Sequence, residues 1–264
     1  MQSKKKLRLL INYPFQFYNN FLSENTAIKN DLFVHDNWAI WRNTQSFESK
    51  DYTVVLQEYD DAILDRLNYN VKIQPWLEEG MTQEVLDNAR IGFYPGADQI
   101  TIPHYDVNGR FIGLRGRTLC SEEADKFGKY RPMIINRQLY NHPLGMNLYN
   151  LDKVKDNIKV LQKAIIYESE KSTLLHASYF GLENNISVAC CGSNISAYQI
   201  HMLIAAGAKE IVICFDRQFQ ELGDKEHKHQ IANFRKLHTR YKSSHDNPCH
   251  VLFDSYKHLS RLLF

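Results

Sequence analysis

The sequence predicts an α/β protein, in which an α+β amino-terminal subdomain is followed by a Rossmann-like parallel sheet. Across residues 163–253, short apolar segments typical of buried strands alternate with segments of helical periodicity. Such alternation builds parallel sheets. Upstream, a hairpin signal and a short helical segment indicate a mixed arrangement. We therefore predict two domains, residues 1–155 and residues 156–264.

Composition narrows the class of protein before any motif is considered. The 264 residues carry a formal net charge of +2, and 44% of them are hydrophobic. No segment approaches the roughly 18 uncharged apolar residues of a membrane span, and polar residues soon after the basic start argue against a signal peptide. Five cysteines without a Cys-x-x-Cys pair predict reduced thiols and no zinc site. We expect a cytoplasmic protein that makes no contact with membranes.

The first domain contains two segments with clear local signals. Residues 82–90 predict a short helix with Thr82 as its N-cap. Residues 99–103 and 110–114 predict the two strands of a hairpin, because Asn108-Gly109 between them favours a tight turn. Weak periodicity over roughly the first sixty residues indicates a mixed layer without an assignable motif. Residues 121–150 are predicted to be a loop.

The second domain is predicted to alternate between strands and helices. The predicted strands cover 164–167, 186–191, 211–215 and 250–253. The predicted helices cover 171–180 and 196–206, followed by a basic helix that begins near residue 225. Gly181 and Gly207 mark the ends of the first two helices, and Ser196 can cap the second.

Acidic residues follow three of these predicted strands. Glu168, Asp216 and Asp254 each stand directly after a strand. Because the carboxyl ends of parallel strands meet at one edge of a sheet, these carboxylates are expected to lie together. Clustered carboxylates suit Mg²⁺, which takes oxygen ligands and binds phosphates. A divalent metal beside basic residues is what phosphoryl or nucleotidyl transfer needs.

The basic charge of the chain is concentrated in one segment. Residues 225–242 contain six Lys or Arg side chains and a single acid, Glu226. The run is read in two ways, as a solvated helix face or as a surface for phosphates.

At this point the ordered motifs resemble those of the DnaG-type DNA primase catalytic core, of the phage or mobile-element type. Residues 164–216 resemble a TOPRIM domain: strand, Glu168, helix, a strand ending in Cys191-Gly192-Ser193, helix, strand and Asp216. The preceding half resembles the primase core in 76–81 (WLEEGM), 91–93 (IGF), 102–117 (IPHYDVNGRFIGLRGR), 129–130 (KY) and 148–151 (LYNL). The resemblance covers roughly residues 67–254.

The resemblance implies a DNA primase that synthesises short RNA primers on single-stranded DNA. It implies Mg²⁺ or Mn²⁺ as cofactor, with Glu168 and Asp216 as metal-binding catalytic residues. Asp224 and Asp254 are further acids that could complete the metal site. The candidates for contact with nucleic acid or nucleotide are basic, and they are Arg115, Arg117, Lys129, Arg131 and Lys171. Expected partners are the template, NTPs, and a replicative helicase or a separate zinc-binding module.

The sequence also departs from the family pattern. Ser169 and Ser172 stand where a glycine and an acid are expected, and the Asp-x-Asp pair reads Asp216-Arg217-Gln218, so its second carboxylate is an amide. Two alternatives therefore stay open. One is a catalytically degenerate primase relative that binds nucleic acid in replication, and the other is a TOPRIM nuclease.

Overall fold

The computed structural model describes residues 55–69, 73–216, 218–241 and 249–253, with side chains through Leu237. All of the elements below belong to one compact unit that begins at Leu56. The predicted mixed layer over the first residues lies outside the described part, as does Asp254. The predicted division of the chain at residue 155 stays a prediction.

The first half of this unit is built on a five-stranded antiparallel sheet with the order β1-β2-β3-β4-β5. The predicted hairpin is present at its centre, and its strands pair from Gln99 opposite Thr118 to Tyr105 opposite Phe111. Asp106 and Gly109 close the turn, and Gly109 has the positive φ of 80° that a glycine adopts readily. The strands are β1 Gly92–Tyr94, β2 Gln99–Tyr105, β3 Phe111–Thr118, β4 Tyr130–Ile135 and β5 Gln138–Tyr140.

Short helices pack beside this sheet. A 3₁₀ segment, Asp61–Arg66, is followed by α1, Gln74–Glu78, and α2, Gln83–Asn88. The predicted cap of α2 is confirmed, because the Thr82 hydroxyl accepts from the backbone N–H of Val85. Trp76 of α1 is fully buried in the core.

The prediction of a loop over residues 121–150 is wrong. This segment contains helix α3, Ser121–Phe127, then β4, β5 and a 3₁₀ turn, Leu144–Met146. The signals were weak because α3 buries no residue and β5 is an edge strand of exposed or half-buried side chains. Pro132 is tolerated in β4 despite lacking a backbone donor, since the ladder from β3 to β4 ends at that residue.

The second half is a parallel sheet with the order β7-β6-β8-β9, which confirms the predicted Rossmann-like arrangement. The strands are β6 Lys163–Tyr167, β7 Ser187–Ala189, β8 Glu210–Phe215 and β9 Cys249–Phe253. The helices are α4 Leu151–Leu161, α5 Glu170–Phe180, α6 Ala197–Ala205 and α7 Lys225–Tyr241.

Local chemistry explains where these elements begin and end. The Ser196 side chain and Gln199 form a reciprocal capping box at the start of α6. Strand β7 is shorter than the predicted 186–191, because Cys191 has a φ of 60° and an extended strand cannot continue through that conformation.

The two sheets share apolar packing. Leu174 and Leu175 of α5 belong to the same buried cluster as Trp76 of α1 and Ile100 and Ile102 of β2. A second cluster joins the parallel strands to α4, α6 and α7. The start of α5 is therefore held against the antiparallel sheet, which positions the residues at its amino terminus. Among the described helices, none combines the length and the apolar character that crossing a bilayer requires.

Candidate active site

Glu168 and Asp216 lie at the carboxyl ends of adjacent parallel strands. Glu168 follows β6 and Asp216 follows β8, and the strands pair up to Tyr167 opposite Cys214. Burial raises the pKa of the Glu168 carboxyl, and the negative charge of Asp216 raises it further, while a backbone hydrogen bond from Asp216 acts in the opposite direction. The two carboxylates thus interact directly, as the shared sheet edge predicts.

One oxygen of Glu168 has no hydrogen-bond partner among the described residues. Its Oε2 atom is buried and accepts no hydrogen bond from the described residues. A buried carboxylate oxygen that lacks a donor is costly unless something else satisfies it. A hard divalent cation is suited to this position, since it takes carboxylate oxygens as ligands and would offset the repulsion between Glu168 and Asp216. The residues present therefore fit the metal that the resemblance implies.

A buried glutamine holds the turn that carries Asp216. Gln230 of α7 is 5% exposed, and its Nε2 donates to the backbone carbonyl of Asp216 at 2.7 Å. Its Oε1 accepts from the backbone N–H of Gln218 at 3.2 Å. Gln230 is not among the predicted site residues, although a single polar residue on the apolar side of a helix is a sequence signal for such a role.

Asp224 makes a different set of contacts. Its carboxylate accepts backbone hydrogen bonds from Gln220, Glu221 and His227, at 3.1, 3.0 and 2.6 Å. These bonds hold the pKa of Asp224 below its ordinary value. The structure thus places Asp224 as the N-cap of α7. Its role as a metal ligand stays a prediction, as does that of Asp254, which lies outside the described residues.

Arg117 lies between two aromatic rings. Its guanidinium carbon is 5.6 Å from the Trp76 ring and 5.8 Å from the Tyr130 ring. The Nε atom of Arg117 is buried without a hydrogen-bond acceptor among the described residues. Arg117 is half-buried, and its guanidinium makes cation–π contacts with both rings.

Arg115, by contrast, is mostly buried and forms an ion pair inside the protein. Its NH1 atom donates to Glu170 of α5 at 2.5 Å, and Nε2 of His104 lies 3.1 Å from the same carboxylate oxygen. Glu170 is 1% exposed; burial raises its pKa, but the hydrogen bond with His104 and the positive charge of Arg115 outweigh this and lower the pKa to about 2. Glu170 thus neutralises the charge of Arg115 inside the molecule, and the predicted contact of Arg115 with nucleic acid stays a prediction.

The other basic candidates differ in whether they have an acidic partner. Lys129 is exposed directly before β4. Arg131 pairs with Glu123 at 2.6 Å, and Lys171 pairs with Glu79. The charges of Arg131 and Lys171 are therefore each offset by a carboxylate. Their predicted contacts with nucleic acid or nucleotide stay predictions.

Glu170, His104 and Cys191 form the one group in the described chain with three side chains spaced for a metal, their ligand atoms lying within 4.8 Å of one another. Arg115 already supplies a positive charge to this carboxylate. Burial raises the pKa of the Cys191 thiol far above its ordinary value, so the thiol is held protonated. We interpret the group as an interior ion pair that joins the two sheets.

Comparison with known proteins relates this geometry to a known fold. No family model matches the chain. The chain is 38% identical over 199 residues to the SPbeta prophage-derived uncharacterized protein YorJ of Bacillus subtilis, covering 75% of this chain and 51% of that protein. It is 29% identical over 121 residues to a DNA primase of Synechococcus elongatus, covering 45% of this chain and 16% of the primase. Its structure matches that of a DnaG primase catalytic domain bound to single-stranded DNA, with a TM-score of 0.53, 18% identity, and coverage of 74% of this chain and 70% of that one.

The chain has the fold of a DnaG primase catalytic core. This confirms the fold that the motif series implies, and the prophage origin of one relative agrees with the phage type. The chain spans about half the length of its YorJ relative and about a sixth of the primase. On this primase-core fold, the departure at Ser169 has a structural role, because its side chain caps α5. The contact of Gln218 with Gln230 is made by the backbone N–H and does not explain the amide side chain at this position.

Proposed function

We propose that this chain is a metal-dependent nucleotidyltransferase that makes short RNA primers on a single-stranded DNA template. The observation that supports the proposal is the buried Oε2 of Glu168, which has no partner in the described part of the chain and lies at the strand ends of a primase-core fold, where Asp216 also stands. Neither feature is explained by packing, because an orphaned carboxylate and a repulsive pair both cost stability.

In the proposed reaction, the oxygen of a 3′-hydroxyl attacks the α-phosphorus of an NTP. A new phosphodiester bond forms, pyrophosphate leaves, and the hydroxyl proton passes to solvent. Bound Mg²⁺ or Mn²⁺ would supply charge neutralisation of the triphosphate and activation of the hydroxyl. Glu168 and Asp216 would hold the ion, and Gln230 would keep the Asp216 turn in place.

Template binding is assigned to the antiparallel half. Arg117, which contacts Trp76 and Tyr130, would offer its cation to phosphate oxygens, and exposed Lys129 lies one residue before Tyr130. The solved primase domain with which the chain shares its fold is bound to single-stranded DNA. That likeness supports a DNA template as the partner.

A metal titration tests the proposal without depending on turnover. Calorimetric or EPR titration with Mn²⁺ is expected to show binding to the native chain, and binding is expected to be lost in Glu168→Gln and Asp216→Asn. Glu183→Gln and Asp156→Asn are the matched controls, because both are exposed carboxylates on other elements, and they are expected to bind as the native chain does. Absence of Mn²⁺ binding by the native chain would overturn the enzymatic proposal and favour a degenerate nucleic-acid-binding protein. Cleavage of labelled DNA in place of extension would favour a nuclease.

A further inference from the structure

The basic run of residues 225–242 folds as a helix whose positive charge is gathered on one side. Five of the exposed side chains of α7 are Lys, Arg or His, and they are Lys225, Lys228, His229, Arg235 and Lys236. At 3.6 residues per turn these five positions fall within an arc of about 120°. We refer to these five residues as the α7 basic stripe.

The opposite side of the same helix is buried. Gln230, Phe234 and Leu237 are each 5% exposed or less, and the two apolar residues belong to the core cluster of the parallel sheet. Their positions on the helical wheel lie almost diametrically opposite the centre of the α7 basic stripe. The stripe therefore faces away from the core of the parallel sheet, and the packing of Phe234 and Leu237 keeps the helix in this orientation.

The stripe carries no acid of its own. Glu226, the only acid of α7, is exposed too, but it lies about 60° outside the arc of the stripe on the helical wheel. Within the part of the chain that the structure describes, none of the four Lys and Arg residues of the stripe takes part in an ion pair. This contrasts with Lys163, Arg131 and Lys171, each of which has a carboxylate partner.

The helix is also fixed relative to the candidate active site. Gln230 ties α7 to the backbone on both sides of residue 217, and Asp216 itself follows β8. The stripe runs from Lys225 to Lys236, about 16 Å along the helix axis. That length matches about five phosphates of one nucleic-acid strand measured along a duplex axis.

We propose that the α7 basic stripe binds the phosphate backbone of the nucleic acid on which the proposed site acts, independently of base sequence. The inference rests on the proposed function and adds to it a second contact surface, separate from Arg117 and Lys129. An anionic membrane is the less favoured partner. Amphipathic helices that bind membranes insert an exposed apolar face, whereas the apolar face of α7 is buried in the core.

The test compares two double variants with the same change in charge. Lys228→Gln with Lys236→Gln removes two cations from the stripe. Lys159→Gln with Lys209→Gln removes two exposed cations near the amino-terminal ends of the parallel strands, the edge opposite Glu168. Fluorescence anisotropy would measure binding of labelled single-stranded and duplex oligonucleotides between roughly 50 and 200 mM salt. Melting curves would verify that both variants are folded.

The stripe variant is expected to bind about tenfold more weakly at the lowest salt, with a log–log salt slope shallower by about 1.4 on single strands. The control variant is expected to bind as the native chain does. A loss confined to single strands would identify the template as the bound strand, and a loss confined to duplex would identify the primer–template product. Equal binding by the two variants would overturn the inference. It would also be overturned if the native chain bound vesicles containing anionic lipid and the stripe variant lost that binding while its binding to nucleic acid was unchanged. A native chain that binds no nucleic acid would contradict the proposed function itself.

Discussion

The side-chain amide of Gln230 donates a hydrogen bond of 2.7 Å to the backbone carbonyl of Asp216. The same amide accepts from the N–H of Gln218, so one buried side chain spans the turn that follows β8. This turn carries the Asp216 carboxylate, and α7 is anchored to the sheet by Phe234 and Leu237. The position of Asp216 therefore depends on a helix that begins nine residues later in the chain.

Replacing Gln230 with Met is expected to weaken Mn²⁺ binding about tenfold, as observed when residues that orient metal ligands are lost. Unfolding in urea should also show a loss of roughly 2 kcal/mol for two buried hydrogen bonds. Val154→Ala, in the core at α4, supplies a variant with a comparable loss of stability away from the turn. If the two variants bind Mn²⁺ equally well, Gln230 is structural only.

The ion pair between Arg115 and Glu170 predicts a large effect on stability. Arg115→Met leaves the Glu170 carboxylate buried beside only His104, and removing one partner of a buried pair costs about 3–5 kcal/mol. The exposed pair of Lys163 with Glu210 is the control, since Lys163→Met should cost less than about 1 kcal/mol. Denaturant unfolding measures both. Similar costs for the two substitutions would show that the Arg115 pair is not the interior link described above.

Burial of His142 predicts a loss of stability in mild acid. Burial and the nearby His104 and Arg115 lower its pKa to about 2, so the folded protein keeps this ring neutral. The unfolded chain binds a proton below about pH 6.5, and stability therefore falls as the pH drops below that value, by up to about 1.4 kcal/mol per pH unit. His142→Gln should make the decline between pH 6.5 and pH 5 shallower by about that amount. His229→Gln, on the exposed side of α7, is the control, and equal slopes for the two variants would contradict this account.

Much of the architecture could be predicted because its signals are local. Strong apolar runs marked β6 and β8, Asn108-Gly109 marked the hairpin, and Thr82 and Ser196 marked helix starts. Residues 121–150 could not be predicted in the same way. Helix α3 and strand β5 bury little apolar surface. Strand β5 is placed by its pairing with β4, which itself pairs with β3, rather than by its own sequence.

In the candidate site, too, some features could be predicted from local sequence signals and others could not. The strand-end positions of Glu168 and Asp216 follow from the alternation of strands and helices. The different contacts of Arg115 and Arg117, two residues apart on one strand, do not follow from this alternation. Arg115 reaches Glu170 and Arg117 reaches Trp76, and both contacts depend on how α5 and α1 pack against the sheet. The contacts of Gln230 could not be predicted from the sequence, because its hydrogen-bond partners are backbone atoms 12 and 14 residues earlier in the chain.

The most direct test of the central claim is template-dependent dinucleotide synthesis from NTPs on single-stranded DNA with Mn²⁺. The native chain and Glu183→Gln are expected to form product, while Glu168→Gln, which keeps the shape of the side chain but not its charge, is expected to form none. Product from Glu168→Gln at the level of the native chain would contradict the assignment of Glu168 to the active site.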